Sequence, residues 1–350
     1  MALTIIDVAK RSGVSPSTVS LVINQKSNVS AATVSAVCNA MNELGYVPKL
    51  PENRRGPRVG NTNTKRTKRV CLLAYNLFAS VLYSPIYISV LKGIDSALQK
   101  NGLQLQINHI SLDHEPSSLD WLKGSTDGII FMGNSPRAID QPLFLQFPCV
   151  QVMGEIEGKQ YWDHITYDNS AIGGLAAQHL QINQHKSCII LSQRDKLFSQ
   201  RVRDFQRTFA EFGGESFAFE DSQLFLITSD CHQIKQDRLR QMCQRLLQDP
   251  RPTAAFLTAD NLAPSFYCIL HEMGIKPGVD IEIVSCNKED ILLEGLIPRP
   301  ASIDIQATNI GHRGVEQLLW RMNNRDQPFT KTVLLPSIAS TSPDDFVAQV

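Results

Sequence analysis

Two hydrophobic patterns divide the 350-residue chain. Across residues 1–48, apolar residues recur every three or four positions in three short segments, which predicts amphipathic helices. From Val70 onward, short continuous apolar runs alternate with amphipathic stretches, which predicts buried parallel strands joined by helices. Residues 49–69 follow neither pattern. We therefore expect a helical head over 1–48, a linker over 49–69 and an α/β core over 70–350.

Start and stop signals indicate three helices in the head. Residues that can cap a helix N-terminus precede each apolar segment: Thr4, Ser15 and Ser30. Asp7 stands three residues after the first cap, as in a capping box, and Pro16 takes the first position of the second helix. Glycines follow the first and third helices: Gly13 and Gly45. The expected core positions are Ala9, Val14, Val19, Val22, Ile23, Val29, Val37, Met41 and Leu44. This order of helices and turns predicts a helix-turn-helix module.

Small hydroxyl side chains crowd the start of the second helix. In a helix-turn-helix module this helix lies in the major groove of DNA, and its first residues face the bases. Serine and threonine let the helix approach closely and can donate hydrogen bonds to phosphate oxygens. The hydroxyls concerned are Ser15, Ser17, Thr18 and Ser20. Helix capping and solvation are the alternative roles of these side chains.

The charge distribution also indicates a nucleic-acid partner for the head. The whole chain has 34 Lys or Arg and 34 Asp or Glu. Residues 1–69 contain eleven basic and three acidic residues, whereas the remaining 281 residues contain 23 basic and 31 acidic residues. A basic head on an acidic core indicates that the head binds a polyanion and the core does not.

The head resembles the LacI/GalR family of bacterial transcription regulators. The match runs without a gap over "TIIDVAKRSGVSPSTVSLVINQKSNVSAATVSAVCNAMNELGYVP", residues 4–48. The resemblance implies phosphate contacts from Ser15, Thr18, Ser20, Asn24, Ser30, Thr33 and Tyr46. It also implies base-reading positions at Pro16, Ser17 and Leu21. Neither proline nor leucine can donate a hydrogen bond to a base, so we expect part of the operator to be read by apolar contact, with an A·T pair facing Leu21.

The linker departs from the pattern of this family, in which a short hinge helix places a leucine in the minor groove. Residues 49–69 contain eight basic residues, one acid and two prolines that would interrupt a helix. Three arginines come where the hinge would lie: Arg54, Arg55 and Arg58. Either an arginine enters a narrow A·T-rich minor groove, or the segment is a tether that follows the phosphates. Both alternatives make DNA affinity fall steeply with salt.

The core alternates predicted strands and helices, which indicates parallel sheets covered on both faces. Segments such as "ITYDNSAIGGLAAQHL" (165–180) and "SIDIQATNIGHRGVEQLL" (302–319) extend the resemblance. They imply a type I periplasmic-binding-protein-like core of two doubly wound α/β subdomains, the first over about 70–167 and 304–331 and the second over about 168–303 and 332–350. The resemblance further implies a small-molecule effector in the cleft between the subdomains.

The expected effector site lacks several polar residues that sugar-binding members of the family have. The residues that we expect to line it are Tyr75, Asn76, Met153, Trp162, Arg201, Asp260 and Asn287. Met153 and Asn287 stand where the family can have aspartate, and each buried hydroxyl of a sugar left unpaired would cost about 1–3 kcal/mol. We therefore expect a less polar or anionic ligand, with Arg201 as an anion clamp. The alternatives are an ion pair of Arg201 with Asp204 or Asp195, aromatic residues that are part of the core, and a pocket that binds nothing.

Other classes of protein fit the sequence less well. The chain has none of the common nucleophile, phosphate-loop, dinucleotide or zinc-protease motifs, so we expect no enzyme and no cofactor or metal. The eight cysteines are scattered and form no C-x-x-C pair, and no apolar run reaches eighteen residues. We expect a cytoplasmic, nucleoid-associated bacterial protein that binds double-stranded operator DNA and no membrane. We expect a homodimer, because one recognition helix contacts too few base pairs to select a site. A regulator with a silent pocket and a small-molecule-binding protein without a DNA role are the rival functions.

The apolar base reader gives a first prediction. Replacing Leu21 by Arg introduces a side chain that can bind guanine through two hydrogen bonds, so the preferred base at the facing position should change from A·T to G·C. A selection from randomised duplexes with each protein measures this preference. An unchanged preference would show that residue 21 does not read the base.

Overall fold

The computed structural model describes residues 3–23, 29–46, 67–75, 84–110, 116–133, 136–137, 140–154, 161–225 and 232–339. In chain order the helices are α1 Ile5–Ser12, α2 Pro16–Ile23, α3 Ala31–Leu44, α4 Pro85–Lys100, α5 Gln141–Phe144, α6 Asn169–Ile182, α7 Lys196–Glu211, α8 His232–Cys243, α9 Ala263–Glu272, α10 Asp290–Leu293 and α11 Ala307–Asn323. The strands are β1 Arg69–Tyr75, β2 Gln104–Ile110, β3 Gly128–Gly133, β4 Cys149–Val152, β5 Asp163–Tyr167, β6 Ser187–Gln193, β7 Glu215–Asp221, β8 Ala254–Leu257, β9 Glu282–Cys286, β10 Ala301–Asp304, β11 Lys331–Leu334 and β12 Ser337–Ala339.

The chain forms two compact units. Unit 1 comprises Met1–Leu82, Leu91–Thr166 and Ile310–Thr332, and unit 2 comprises Tyr83–Val90, Tyr167–Asn309 and Val333–Val350. Two helices contribute to both units: α4 changes unit after Val90, and α11 changes unit after Asn309. The polypeptide therefore passes from one unit to the other within these two helices and also within strands β5, after Thr166, and β11, after Thr332.

Each unit holds most of one six-stranded sheet, and the strand orders of the two sheets correspond. In unit 1 the strand order is β11-β5-β4-β3-β1-β2, and in unit 2 it is β12-β10-β9-β8-β6-β7. Strands β1 to β5 pair in parallel, as do β6 to β10, whereas β12 is antiparallel to β10. In both sheets the first strand lies between the second and the third, which is the doubly wound order with the first strand inside. The predicted α/β class with two doubly wound parallel sheets is confirmed.

The sequence pattern did not single out β5, because that strand carries charged and polar residues although it is fully buried. Asp163 begins β5 with its side chain fully buried and accepts two hydrogen bonds from Arg321 on α11, at 2.6 and 2.8 Å. Burial raises the pKa of the Asp163 carboxyl, but hydrogen bonds from Arg321 and Thr330 outweigh it, and the net pKa is lowered. Arg321 also donates to the backbone oxygens of Asn324, Gln327 and Pro328. This buried ion pair therefore fixes the turn after α11 against the edge of the sheet.

In unit 2, helices α6 and α7 touch through a glycine. A Cβ atom placed on Gly173 would lie 2.2 Å from the backbone oxygen of Arg201 and 2.5 Å from the backbone nitrogen of Phe205, both on α7. At the adjacent Gly174 the nearest atom would be the Thr208 hydroxyl oxygen at 3.7 Å, an ordinary contact. The absence of a side chain at residue 173 thus sets how closely α7 approaches α6, and with it the position of Arg201.

The two neighbouring glycines give a matched test of this contact. Gly173→Ala should lower the free energy of unfolding by at least about 2 kcal/mol, because the new methyl group meets backbone atoms that cannot move independently. Gly174→Ala should leave it unchanged or raise it by up to about 1 kcal/mol, since alanine is the better helix former. Urea unfolding of both variants measures the difference. Equal stabilities would contradict the close helix contact.

Candidate nucleic-acid interface and effector site

The head is held together by one apolar cluster that leaves the start of α2 exposed. All nine predicted core positions of the head belong to this cluster or pack against it. The residues that the sequence pattern missed are Val8, Cys38, Ala40 and Tyr46. The predicted capping of α1 is confirmed, because the Asp7 carboxylate accepts from the backbone N–H and the hydroxyl of Thr4 at 2.8 and 2.7 Å. These hydrogen bonds lower the pKa of Asp7.

The predicted turn between α1 and α2 is confirmed. Gly13 adopts the left-handed conformation with φ 70°, and the next helix begins at Pro16. The Ser15 hydroxyl oxygen accepts from the backbone N–H of Thr18 at 3.1 Å and so caps α2. It also lies 2.7 Å from the Ser17 hydroxyl and 2.8 Å from the Thr18 hydroxyl. Three hydroxyls are thus gathered at the N-terminus of α2.

The base-reading positions expected from the sequence are on the surface of the head. Pro16 and Ser17 are exposed, and Leu21 keeps 40% of its surface accessible although it is a large apolar residue. Ser17 and Leu21 are four residues apart on one helix and so share a face. Ser20 and Thr18 are half-buried beside them. The exposed face of α2 is therefore short and uncharged.

The remaining phosphate-contacting positions fall in different surroundings. The Ser30 hydroxyl oxygen caps α3 by accepting from the Thr33 backbone N–H at 3.3 Å, and the two hydroxyls lie 2.9 Å apart. Gly45 ends α3 with φ 62°, as predicted. Tyr46 is 8% exposed and packs into the head core, a burial that the sequence pattern did not indicate. Asn24, Arg54, Arg55, Arg58 and Asn76 lie outside the described residues.

Arg201 lies at the centre of a polar network in unit 2. Its side chain is 1% exposed, although the sequence pattern places it on an amphipathic helix. The guanidinium donates four hydrogen bonds: Nε to Asn169 Oδ1 at 2.8 Å, Nη1 to Thr258 O at 2.5 Å and to Asn287 Oδ1 at 3.2 Å, and Nη2 to the Tyr167 hydroxyl at 3.2 Å. The guanidinium also lies near the rings of Tyr167 and Phe198.

The partners of Arg201 include residues at or beyond the carboxyl ends of strands. Tyr167 ends β5, Thr258 follows β8, and Asn287 follows β9 with φ 105°. Ligands of doubly wound folds bind at this edge of the sheet. The alternative role of Arg201, an ion pair with Asp204 or Asp195, is not formed: Asp204 binds Gln200 and Arg207, and Asp195 caps α7.

Two buried carboxyl groups extend this network. The Asn287 amide donates to Glu289 Oε2 at 3.2 Å, and the Glu289 backbone N–H donates to Asp260 Oδ2 at 2.7 Å. The Ser302 hydroxyl donates to Asp260 Oδ1 at 3.0 Å. Burial raises the pKa of Asp260 to about 7 and also raises the pKa of Glu289. The structure therefore brings Arg201, Asn287 and Asp260 together, as expected, and adds Glu289, which no sequence pattern indicated.

The other expected effector residues belong to the core of unit 1. Tyr75 is fully buried and donates its hydroxyl hydrogen to the Asp140 carboxylate. Trp162 donates from Nε1 to Gln151 Oε1 at 2.9 Å, and its ring meets that of Phe131 edge-on at 5.2 Å. These two residues take the core role that the sequence left open as the alternative.

Met153 follows β4, is 6% exposed and has φ 63°. Its backbone oxygen lies 2.9 Å from His164 Nε2, within unit 1.

Searches of the described residues for other chemistry are negative. No group of three or more His, Cys, Asp or Glu residues in the described part of the chain is placed to hold a metal ion. None of the described helices is long and apolar enough to cross a membrane. Among the described cysteines, six are buried with free thiols, and Cys268 is exposed.

Comparison with known proteins matches two separate parts of the chain to protein families. Residues 4–49 match the model of "Bacterial regulatory proteins, lacI family", and residues 177–340 match that of a "Periplasmic binding protein-like domain". The chain is 27% identical over 350 residues to the HTH-type transcriptional regulator DegA of Bacillus subtilis (strain 168), with 96% of each chain covered. It is 27% identical over 351 residues to the HTH-type transcriptional repressor PurR of Aliivibrio fischeri (strain MJ11), with 97% of each covered.

A solved structure supports the fold. The structure described as "transcriptional regulator CelR-cellobiose complex" superimposes with a TM-score of 0.66 at 22% identity, covering 97% of this chain and 98% of that one. At this identity the likeness concerns the fold and carries no ligand from one protein to the other.

Proposed function

This chain belongs to the lacI family of bacterial regulatory proteins and is a DNA-binding transcriptional regulator, and from that premise we propose that it represses transcription by binding a palindromic operator as a homodimer. One observation carries the proposal: the exposed first turns of α2 present Pro16, Ser17 and Leu21 beside a cluster of hydroxyls. A recognition helix reads base edges from these positions, and hydroxyls and backbone N–H groups bind phosphate oxygens.

The proposed phosphate contacts are the positions that the family resemblance implies; Asn24 lies outside the described residues, and Tyr46 is 8% exposed. We assign them to Ser15, Thr18, Ser20, Asn24, Ser30, Thr33 and Tyr46. Ser15 and Ser30 each cap a helix, so a phosphate bound there also meets the positive end of a helix dipole. The eight basic residues of 49–69 add the sequence-independent part of the affinity.

Exposed aliphatic side chains on unit 2 support the homodimer. Val279 and Ile297 are 79% and 87% exposed. Their sequence neighbours Gly278 and Pro298 lie close together, since a Cβ on Gly278 would be 2.5 Å from Pro298 Cγ. Ile291, 76% exposed, follows Asp290, which pairs with Arg299 just beyond this contact. Three large exposed aliphatic residues on nearby segments of an acidic core fit a second copy of the same surface better than a nucleic acid.

Selection from randomised duplexes with the full chain tests the proposed DNA role. The enriched sites should show a two-fold symmetric consensus, and their affinity should exceed that of random duplex at moderate ionic strength. The logarithm of the binding constant should fall linearly with the logarithm of salt concentration, because bound counterions are released from the phosphates. Equal affinity for selected and random duplex would refute sequence-specific recognition.

A charge placed in the aliphatic surface tests the dimer. Ile297→Glu should shift the protein from dimer to monomer in sedimentation velocity and lower operator affinity at least tenfold, because each half-site would then be bound independently. Ile107→Glu is the matched control, since Ile107 is 54% exposed and lies on β2 of unit 1, whereas Val279, Ile291 and Ile297 belong to unit 2. A dimer that survives Ile297→Glu would place the interface elsewhere.

We further propose that a small molecule modulates DNA binding by engaging the Arg201 network, with Asn287 and Asp260 as the polar partners. The hydrogen bonding of Arg201 favours a second candidate as well: four of its N–H groups already bind acceptors of the chain itself. A regulator that needs no effector would have such a self-satisfied site. Operator affinity measured with and without a panel of neutral and anionic metabolites separates the two candidates, since a silent pocket predicts no change for any compound.

A further inference from the structure

Asp260 and Glu289 carry two buried carboxyl groups that are linked through the backbone of Glu289. Asp260 is fully buried and Glu289 is 5% exposed, and the backbone N–H of Glu289 donates to Asp260 Oδ2 at 2.7 Å. Within the described residues, no Lys, Arg or His side chain lies within ion-pair distance of either carboxyl group. Two negative charges in such a place repel each other at low dielectric, so the pair is stable when it carries one proton.

Glu289 connects this pair to a helix. Its Oε1 accepts from the backbone N–H of Ile86 at 2.9 Å, in the first turn of α4. The first N–H groups of a helix have no partner within the helix, and a carboxylate there is also stabilised by the helix dipole. Residues 85–90 of α4 belong to unit 2 and residues 91–100 to unit 1, so Glu289 holds the start of a helix that both units share.

The second oxygen of Glu289 leads back to the candidate effector site. Oε2 accepts from the Asn287 amide at 3.2 Å, and Asn287 Oδ1 accepts from Arg201 Nη1 at 3.2 Å. The Arg201 charge polarises the Asn287 amide, and the amide N–H then binds a negatively charged Glu289 more strongly. The negative charge of the pair is therefore better placed on Glu289, and the proton on Asp260.

Other ionisable groups around the pair hold their charge state near neutral pH. Burial raises the pKa of Cys286, on β9, to about 12 and that of Tyr87, on α4, to about 12, so both remain protonated. The Lys288 ammonium group binds Asp304 at 3.3 Å instead of the pair. Arg201 stays charged at any pH that proteins tolerate. Burial raises the pKa of Asp260 to about 7 and also raises the pKa of Glu289, so this pair exchanges its proton in the neutral range.

We propose that the Asp260–Glu289 pair is a proton-controlled hold on helix α4. When Asp260 is neutral, Glu289 carries the single negative charge and binds the Ile86 N–H. When Asp260 ionises, the two carboxylates repel each other, and Glu289 leaves the helix N-terminus. The held form binds one proton at Asp260 and is therefore favoured at low pH. The first turn of α4 is then held firmly at pH 6 and loosely at pH 8.

Hydrogen–deuterium exchange of the free full-length protein tests this hold without DNA or ligand. After correction for intrinsic rates, protection of residues 85–90 in the wild type should be about tenfold lower at pH 8 than at pH 6, since one proton is linked to opening and one pH unit lies above the pKa. Asp260→Asn mimics the neutral acid and should show the pH 6 protection at both pH values. Glu289→Gln should show low protection at both pH values. The Ile86 N–H and the Asn287 amide both donate to the Glu289 carboxylate, and the NH2 of a glutamine amide would face one of these donors.

Asp290→Asn is the matched control. Asp290 follows Glu289 in sequence, is exposed and pairs with Arg299 outside the cluster, so its variant should keep the wild-type pH dependence. Equal protection of residues 85–90 in the wild type at pH 6 and pH 8 would overturn the proposal whatever the variants do. A full tenfold change retained in Asp260→Asn would assign the titration to another group and also overturn it. Neither result bears on operator binding.

Discussion

The burial of the Arg201 guanidinium is the constraint on which the candidate site of unit 2 depends. A guanidinium that is 1% exposed must find acceptors within the protein, because an unpaired buried charge costs several kcal/mol. Its acceptors come from the end of β5, the start of α6 and the segments after β8 and β9. Meeting that requirement fixes four pieces of chain around the guanidinium, two of which follow strands β8 and β9 of the unit 2 sheet.

The close contact of α6 with α7 makes this arrangement possible. Gly173 lets the backbone of Arg201 approach α6 to a distance that no side chain would allow, and Asn169 in the first turn of α6 then reaches Nε. The charge balance follows from the same geometry. Because Asn287 is neutral, the negative charge that balances Arg201 lies on Glu289, which is the next group along the hydrogen bonds. The carboxyl group of Asp260 beside it adds the proton dependence that we propose.

The head solves a different problem, since it must expose polar groups without leaving its helices uncapped. The Ser15 and Ser30 hydroxyls satisfy helix N-termini and still face the surface where DNA would bind. The apolar cluster beneath them packs α2 against α1 and α3. This packing determines which residues of α2 are exposed. The chemistry of the proposed base-reading surface then depends on the side chains that α2 exposes, and Leu21 makes this surface partly apolar.

The sequence by itself determined the features that depend on local signals. Caps, glycine turns and the three- and four-residue spacing of the head predicted α1 to α3, because each signal acts within a few residues. Continuous apolar runs predicted most strands of two parallel sheets, since such strands are buried on both faces. The resemblance over residues 4–48 supplied the positions expected to meet DNA.

Only the tertiary structure decided which polar residues are buried and paired. The polar strand β5 escaped the hydrophobic pattern because Asp163 is neutralised by Arg321, which lies 158 residues away in sequence. Tyr75 and Trp162 could not be told from ligand-binding aromatics until their partners, Asp140 and Gln151, were located. Glu289 gave no sequence signal at all, because its importance comes from reaching Ile86 across 203 residues. Local patterns record what a residue prefers, whereas the charge, burial and partner of a polar group are set by segments distant in sequence.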